Sequence, residues 1–486
     1  MKILEFVTDP AAQTSRAVQY LARLGAGPDR CSELPETMNE PERQSARAPE
    51  TALQIPEQGL TRRRRIAVML ALVIAGEAVY VLPFVLARVF RPTLLDVLGL
   101  TNLELGLAFS AYGVVAMLAY LVGGPLADRF SARRLMTVAV LATAAGGLVL
   151  ARLPSLPGLR WLYAGWGLTT VLLFWAPLIR ATRTWGGERA QGRAYGLLDG
   201  GRGLFAGLLA SAAVAVFAGL LPEDVQRATL AEREAAFIAV LWMATGVTAA
   251  AGLLVWICLP EQVLKKRSAT GARTSGIRRL RRVMKMPAVW LQALIVGCAY
   301  VGYKSTDDFS LYARDAFGYD DLAAAKIGAL ALWVRPLAAV SMGLIADRLS
   351  ASRATALSFA IMSLGALTIA LAAPQPGLSW MLAALVVTTS VGVCALRGTY
   401  FALFAEARVP WAYTGGAVGL VSFVGYTPEV FMGPLMGVLL DRSPGVLGHQ
   451  HVFALVAASG AVGLVLTLAF RRITRRGPIR ENTHSP

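Results

Sequence analysis

The charged residues that could do chemistry in this chain stand inside long apolar runs, where charge is expensive. On insertion scales each costs about 2.5–3.5 kcal/mol at the centre of a membrane helix unless it is paired or wetted, so such residues point to a function or a partner. Arg335 lies 12 residues before Asp347, about 18 Å along a helix, which puts it near mid-membrane. Its neighbour Pro336 is expected to open the helix and turn backbone groups toward a cavity. A guanidinium there reads as a substrate-binding or counter-charge group; a structural ion pair is the bland alternative. Glu77 sits near the middle of the first apolar run. A carboxylate at that depth can take and release a proton as its surroundings change, although it could also be a hydrogen-bonded packing residue beside Gly76. Tyr80, one turn on, shares its face. Glu429, following Pro428, is a second candidate for proton coupling.

Further polar groups gather near these. Lys304 precedes Asp307 and Asp308 by three and four residues, so one helix face can hold a neutralised pair, either at a wet site or at an outer gate. Arg202, in the run Asp199-Gly200-Gly201-Arg202-Gly203, either faces a cavity or pairs with Asp199. Trp175, Trp333 and Tyr400 help to shape a cavity or simply pack. Arg180 and Arg397 stand near inner helix ends, where snorkelling explains them more cheaply. His449, His451 and His484 fall at an outer loop and the tail, and Cys31, Cys258, Cys298 and Cys394 show no metal or redox spacing. No nucleotide loop, triad or His/Cys cluster appears in the sequence, so an enzyme, a cofactor and a metal are not expected.

The elements that must position these residues are membrane helices. Of 486 residues 56% are hydrophobic and 16% charged, against nearer a quarter charged in a soluble protein. About twelve apolar runs reach the roughly 20 residues that one crossing needs: 66–88, 103–122, 135–153, 160–180, 194–220, 235–258, 288–311, 322–343, 355–373, 380–400, 413–439 and 450–470. The net charge of +17 does not imply nucleic acid, because the basic residues sit in short loops between those runs. Lysine and arginine crowd alternate loops, including Arg62–Arg65 and the Lys265–Lys285 cluster, which places both termini in the cytoplasm. The expected organisation is a polar, disordered extension over 1–65, a six-helix bundle over 66–258, a basic cytoplasmic linker over 259–286, a second bundle over 287–471 and a tail over 472–486.

The halves repeat each other. Gly124–Arg134 reads GPLADRFSARR and Gly343–Arg353 reads GLIADRLSASR, an offset of 347 − 128 = 219. The same offset relates Gly146 to Gly365, Pro157–Trp161 to Pro376–Trp380, Thr169-Thr170 to Thr388-Thr389 and Gly196 to Gly415. Two related membrane halves around a central site suit a transporter that rocks one bundle against the other. Asp128 and Asp347 can accept hydrogen bonds at a neighbouring helix start. Gly124 and Gly343 allow close backbone approach, and Arg129, Arg133 and Arg134 can pair with carboxylates on the facing bundle. Such contacts act as a latch in one orientation only; mere topological anchoring is the alternative.

The Gly-x-Leu-Ala-Asp-Arg pattern at Gly124–Arg129 resembles the signature loop of the major facilitator superfamily, and Gly343–Arg348, with Arg353 beyond it, resembles its second copy. Where the family pattern continues with Gly and Arg, this chain has Ser131 and Ala132, followed by Arg133 and Arg134. The resemblance spans about 66 to 471 and implies an all-α integral membrane protein. Its twelve transmembrane helices would form two six-helix bundles related by a pseudo-two-fold axis, with the loop as inner-gate latch.

Together these features predict a monomeric secondary transporter in a bacterial-type inner membrane. Its partners are the lipid bilayer and a small-molecule solute, read from Arg335, Arg202 and Lys304 as a small organic anion such as a sugar acid or carboxylate, taken up with protons. An efflux antiporter for a neutral or cationic solute and a transporter-like solute sensor are the alternatives. Single cysteines placed in the Lys265–Lys285 linker should react with an impermeant maleimide only after cells are opened; labelling of intact cells would overturn the topology.

Overall fold

A computed structural model describes residues 61–187, 191–261, 281–374, 379–407, 409 and 411–475; the side chains of 121–125, 127, 128, 191, 192, 347 and 411–416 lie outside that description. All regular structure among the described residues is helical. The first half holds α1 (Arg62–Val89), α2 (Asn102–Arg129), α3 (Ala132–Leu150), α4 (Leu156–Gly186), α5 (Gln191–Ala218) and α6 (Leu230–Cys258). The second holds α7 (Pro287–Ser305), α8 (Asp321–Leu349), α9 (Ala351–Leu371), α10 (Ser379–Thr399), α11 (Trp411–Gly425 and Pro428–Arg442) and α12 (Val446–Arg475).

Among the described residues, eleven helices are long and apolar enough to cross a membrane. The remaining one of the twelve expected, α7, is diluted by Gln292, Tyr300, Tyr303 and Lys304. It also stops earlier than the run 288–311 suggested. Ser305 and Thr306 donate their hydroxyls to the carbonyls of Gly302 and Tyr303 at 2.8 and 2.7 Å. These side chains compete with the backbone ladder, and the chain passes through a 3-10 turn at Thr306–Asp308 into a short helix, Phe309–Phe317. The arginine stretch Arg62–Arg65, expected to end the extension, instead forms the first turn of α1, because Thr61 caps it by accepting from the Arg64 N–H. Pro336 leaves α8 continuous; the irregular stretches are π-helical turns at Val81–Val85 in α1 and Leu168–Trp175 in α4.

The repeat read in the sequence reappears in the backbone. Gly99 and Gly318, at 318 − 99 = 219, both adopt positive φ (60° and 69°) after short helices, a conformation that glycine takes without steric cost. Thr101 and Asp320 (320 − 101 = 219) cap α2 and α8, and Ser131 and Ser350 (350 − 131 = 219) cap α3 and α9. Packing follows the same rule. In the first half α1 lies against α5 and α6, α2 against α4, and α3 against α4 and α6. In the second, α7 lies against α11 and α12, α8 against α10, and α9 against α10 and α12. Outward faces carry exposed leucines and tryptophans such as Trp161, Leu208, Leu253, Leu364 and Leu371, a surface suited to lipid and not to water.

The halves meet along two seams, α2 with α11 and α5 with α8. Advancing each helix by six numbers exchanges one seam for the other, as a two-fold relation requires. At the first seam a Cβ on Gly433 would lie 2.8 Å from the Gly106 carbonyl oxygen, so the backbones touch directly. At the second, Gly207 seats the Trp333 indole, whose Nε1 donates to Ser211 Oγ at 3.0 Å.

Asp441 of α11 closes the end of the first seam by accepting from the Asn102 and Leu103 N–H groups at 3.1 and 2.8 Å, where the α2 dipole favours an anion. Cysteines substituted at Asn102 and Asp441 should therefore cross-link efficiently. Gly433→Leu in that background should lower the yield by overpacking the seam; an unchanged yield would mean that the seam is not tight.

Candidate functional site

The mid-membrane charges converge from three helices. Glu77 on α1 accepts from Arg335 Nη1 on α8 at 3.1 and 3.2 Å and lies 3.2 Å from Arg202 Nε on α5. Asp199, one turn before Arg202, accepts from Arg335 Nη2 at 3.2 Å. Two carboxylates and two guanidiniums thus neutralise one another between the halves. The Arg202 guanidinium also rests over the Tyr80 and Trp175 rings, 5.6 and 5.9 Å from their centroids. Glu77, Tyr80, Arg202 and Arg335 therefore lie together, with Asp199 shared between both arginines. Trp333 stands apart from them, in the α5–α8 seam.

A second cluster lies toward the end formed by the short helices Arg91–Leu98 and Phe309–Phe317. Lys304, 2% exposed, is 3.0 Å from Asp307 and donates to Glu429 at 3.2 Å; Glu429 also accepts the Tyr300 hydroxyl. Arg88 donates through Nε to Asp307 Oδ1 at 2.8 Å, with Nη2 at 2.6 Å. Arg88 stands at the end of the first apolar run, 66–88, and is buried. A signal was present: 307 − 88 = 219, so Arg88 and Asp307 are repeat mates. Mates related by a two-fold axis touch only where they flank that axis, and here they carry opposite charge.

Asp308 does not share Lys304, as its spacing allowed. It bonds to His449 Nδ1 at 2.7 Å, and His449 Nε2 lies 3.4 Å from Asp315. His449, expected in a loop, is fully buried in the first turn of α12. This end is closed further by polar pairs within and between the halves. Asp96 accepts from Arg233 and Arg314 at 2.9 and 3.0 Å, and Asp321 accepts from Arg233 and Thr93, both at 3.0 Å.

At the opposite end, which carries Phe130 and Glu261, the described motif residues find their partners near the end of α6. Arg134 pairs with Glu261, and Arg133 stacks on Trp256 of α6 with Cζ 4.1 Å from the ring centroid. This differs from the expected contact with the facing bundle, because the end of α6 supplies nearer partners. Arg180 donates to the Phe130 carbonyl at 2.8 Å. Arg129, Arg348 and Arg353 are exposed, and among the described residues nothing approaches within 4 Å of a Cβ placed on Gly343, so the close packing expected there is not seen among them. The side chains of Asp128 and Asp347, and the surroundings of Gly124, lie outside the described residues. Ser131, where the sequence departs from the family pattern, has a plain role: it caps α3 by accepting the Arg134 N–H at 3.4 Å.

Sequence reading also misplaced Arg397. Its guanidinium does not snorkel outward but stacks on Tyr303 of α7, 4.1 Å from the ring centroid, while Arg88 lies 4.9 Å from the same ring. A long side chain tilts toward the start of its own helix, which for α10 is away from the linker end.

Removing one member of a buried pair costs about 3–5 kcal/mol, because the other charge is left unmatched. Lys304→Met should accordingly lower the thermal stability of the purified protein strongly. Lys304→Met combined with Glu429→Gln restores neutrality and should recover most of the loss; a double variant no better than the single would show that Lys304 and Glu429 are not coupled.

A family model described as Major Facilitator Superfamily matches residues 66–427. The inner membrane proteins YihN and YqcE of Escherichia coli are 26% and 25% identical over 432 and 394 residues; the matches cover 85% and 80% of this chain and 97% and 91% of theirs. Among solved structures, a mutant of the nucleoside transporter NupG aligns with TM-score 0.65 at 12% identity, over 84% of this chain and 99% of its own. An inward-facing, unoccupied bacterial homologue of the human lysosomal transporter Spinster aligns with TM-score 0.65 at 14% identity, over 86% and 98%. These likenesses match the helical architecture, and the family model covers most of the chain, which therefore belongs to the major facilitator superfamily.

Proposed function

We propose that this protein is a secondary active transporter working by alternating access, which takes up a small organic anion, such as a sugar acid or short carboxylate, together with protons. The observation that carries the reading is the Glu77–Arg335–Asp199 network across the α5–α8 seam. Its bonds join the two halves, so they persist only while α8 keeps its place against α1 and α5. Protonation of Glu77 removes the charge that holds Arg335, and the same step loosens the seam. Proton occupancy and bundle orientation are thereby coupled through one carboxylate.

The lysine and arginine bias supports a cytoplasmic linker end, and the inner-membrane names of the Escherichia coli relatives support a bacterial inner membrane. On that orientation the inter-half bonds from Arg314 to Asp96, from Arg233 to Asp321 and from Asn102 to Asp441 close the outer side, as in an inward-facing state. The motif arginines, with partners in their own half here, would form the inner latch after the halves rock. A single chain holds the whole path, and the monomer is the working unit.

The complete pairing of Arg335 favours a second reading, proton-driven export of a neutral or cationic solute. Liposomes carrying the purified protein, tested with sugar acids, short carboxylates, neutral sugars and cationic drugs with and without a pH gradient, separate the two by solute and direction. Absence of transport throughout would favour a sensor. In the same assay Glu77→Gln should abolish accumulation driven by the pH gradient while solute exchange continues. Full pH-driven accumulation in that variant would move the coupling role to Glu429 or Asp307.

A further inference from the structure

Five buried or half-buried cations, Arg88, Arg202, Lys304, Arg335 and Arg397, face four carboxylates, Glu77, Asp199, Asp307 and Glu429. The first four cations each lie within 4.0 Å of a carboxylate oxygen, and the neighbouring buried Arg91 donates instead to Asn102 Oδ1 at 3.0 Å and to the Asp307 carbonyl at 3.5 Å. Arg397 is different. Among the described residues no carboxylate comes that close to it, and its recorded partner is the face of Tyr303. Among the described residues Arg397 is thus the cation of this group held by neither a carboxylate nor a hydrogen-bonding carbonyl. An aromatic face offsets part of the cost of a desolvated guanidinium but leaves its in-plane N–H groups free to donate.

Two further observations concern α10 and the far side of Tyr303. Ser390, two turns back on α10 and 1% exposed, has a hydroxyl without a hydrogen-bond partner. It borders a void of about 20 Å³ that is also lined by Arg88, Tyr303, Arg335 and Cys394, room for about one water. From Tyr303 a file of aromatic rings leads across the first seam: Tyr303 to Tyr300 at 5.4 Å, Tyr300 to Tyr426 at 5.0 Å, and Tyr426 to Tyr120 of α2 at 6.0 Å. Tyrosine presents an apolar ring for the C–H face of a polyol and a hydroxyl for its oxygens. A free guanidinium at one end of such a file matches a molecule with one charged and one hydroxylated end.

We propose that Arg397 is the anion-binding residue of the transport site, holding the carboxylate or sulfonate of a small hydroxylated acid bidentately, with Tyr303 and the tyrosine file against the body of the solute. The assignment rests on the reading of the protein as an organic-anion transporter, and it moves the binding role from Arg335, whose donors Glu77 and Asp199 occupy, to a residue on a different helix. A bidentate fork suits a planar or tetrahedral oxyanion in a way that a point-charge ammonium does not.

The test is ligand-induced thermal stabilisation and equilibrium binding on the purified full-length protein. The probes are D-gluconate, D-galactonate, D-glucuronate, L-lactate and 2-hydroxyethanesulfonate, each beside a neutral counterpart of similar size. At least one acid should stabilise the wild type while its counterpart does not. Arg397→Lys should weaken that acid at least tenfold, and Arg397→Ala should abolish the stabilisation. Arg397→Gln replaces Arg397→Ala if the latter does not purify as a single species. Acid binding that is unchanged in the neutral variant overturns the Arg397 assignment and leaves the anion-transport reading standing. A wild type stabilised by none of the acids overturns the anion reading itself, and the assignment with it.

Discussion

Charge neutrality inside a membrane interior governs this structure. An ion removed from water costs several kcal/mol, and that cost is met only by an opposite charge with good geometry. Here several of the opposite charges stand on different helices. Glu77 and Arg335 are 258 positions apart, and Lys304 and Glu429 are 125 apart. The requirement for pairing therefore acts as a requirement for helix arrangement: α1, α5 and α8 must meet, and α7 must reach α11. Apolar packing against lipid supplies no such instruction, since a leucine is equally well placed against a tail or another leucine.

The internal repeat sets where those pairs can form. Two halves related by a two-fold share an axis, and residues flanking the axis meet their own mates. Identical charges would repel there. The chain resolves this by placing Arg88 in one copy and Asp307 in the other, so the symmetry of the backbone is kept while that of the charge is inverted. The seams show the same division. Backbones approach closely where glycines face one another, as at Gly106 and Gly433, and side chains interlock where they do not, as at Trp333 in the groove by Gly207. Contacts of this kind form as units, which favours movement of each half as a body over local bending.

The inter-half bonds described run from the Glu77 cluster to the end capped by Asp96, Asp321 and Asp441, while the motif residues Arg133 and Arg134 at the other end find partners near the end of α6. The protein thus holds one side together with ion pairs that must be broken for it to part. Each of those contacts involves a carboxylate, so each weakens if that carboxylate loses its charge.

Much of this was legible in the sequence, because it is written in linear properties. Apolar run length marked the crossings to within a few residues for most helices, and the constant offset exposed two halves before any contact was known. The cost of buried charge singled out Glu77, Arg202, Lys304, Arg335 and Glu429. Other features depend on distances between helices that no local pattern encodes. Spacing alone allowed Lys304 either Asp307 or Asp308; only the arrival of His449 from α12 beside Asp308 decided between them. Arg397 sits at a helix end, where a side chain can run outward to water or inward to a ring, and the position of Tyr303 on α7 settled its direction. The sequence by itself determined a membrane protein of two repeated halves with charges in its interior, since composition, period and repeat are properties of the chain. Tertiary structure decided which charge neutralises which, and so where an unmatched one remains, because an ion pair exists only when packing brings both partners within a few ångströms.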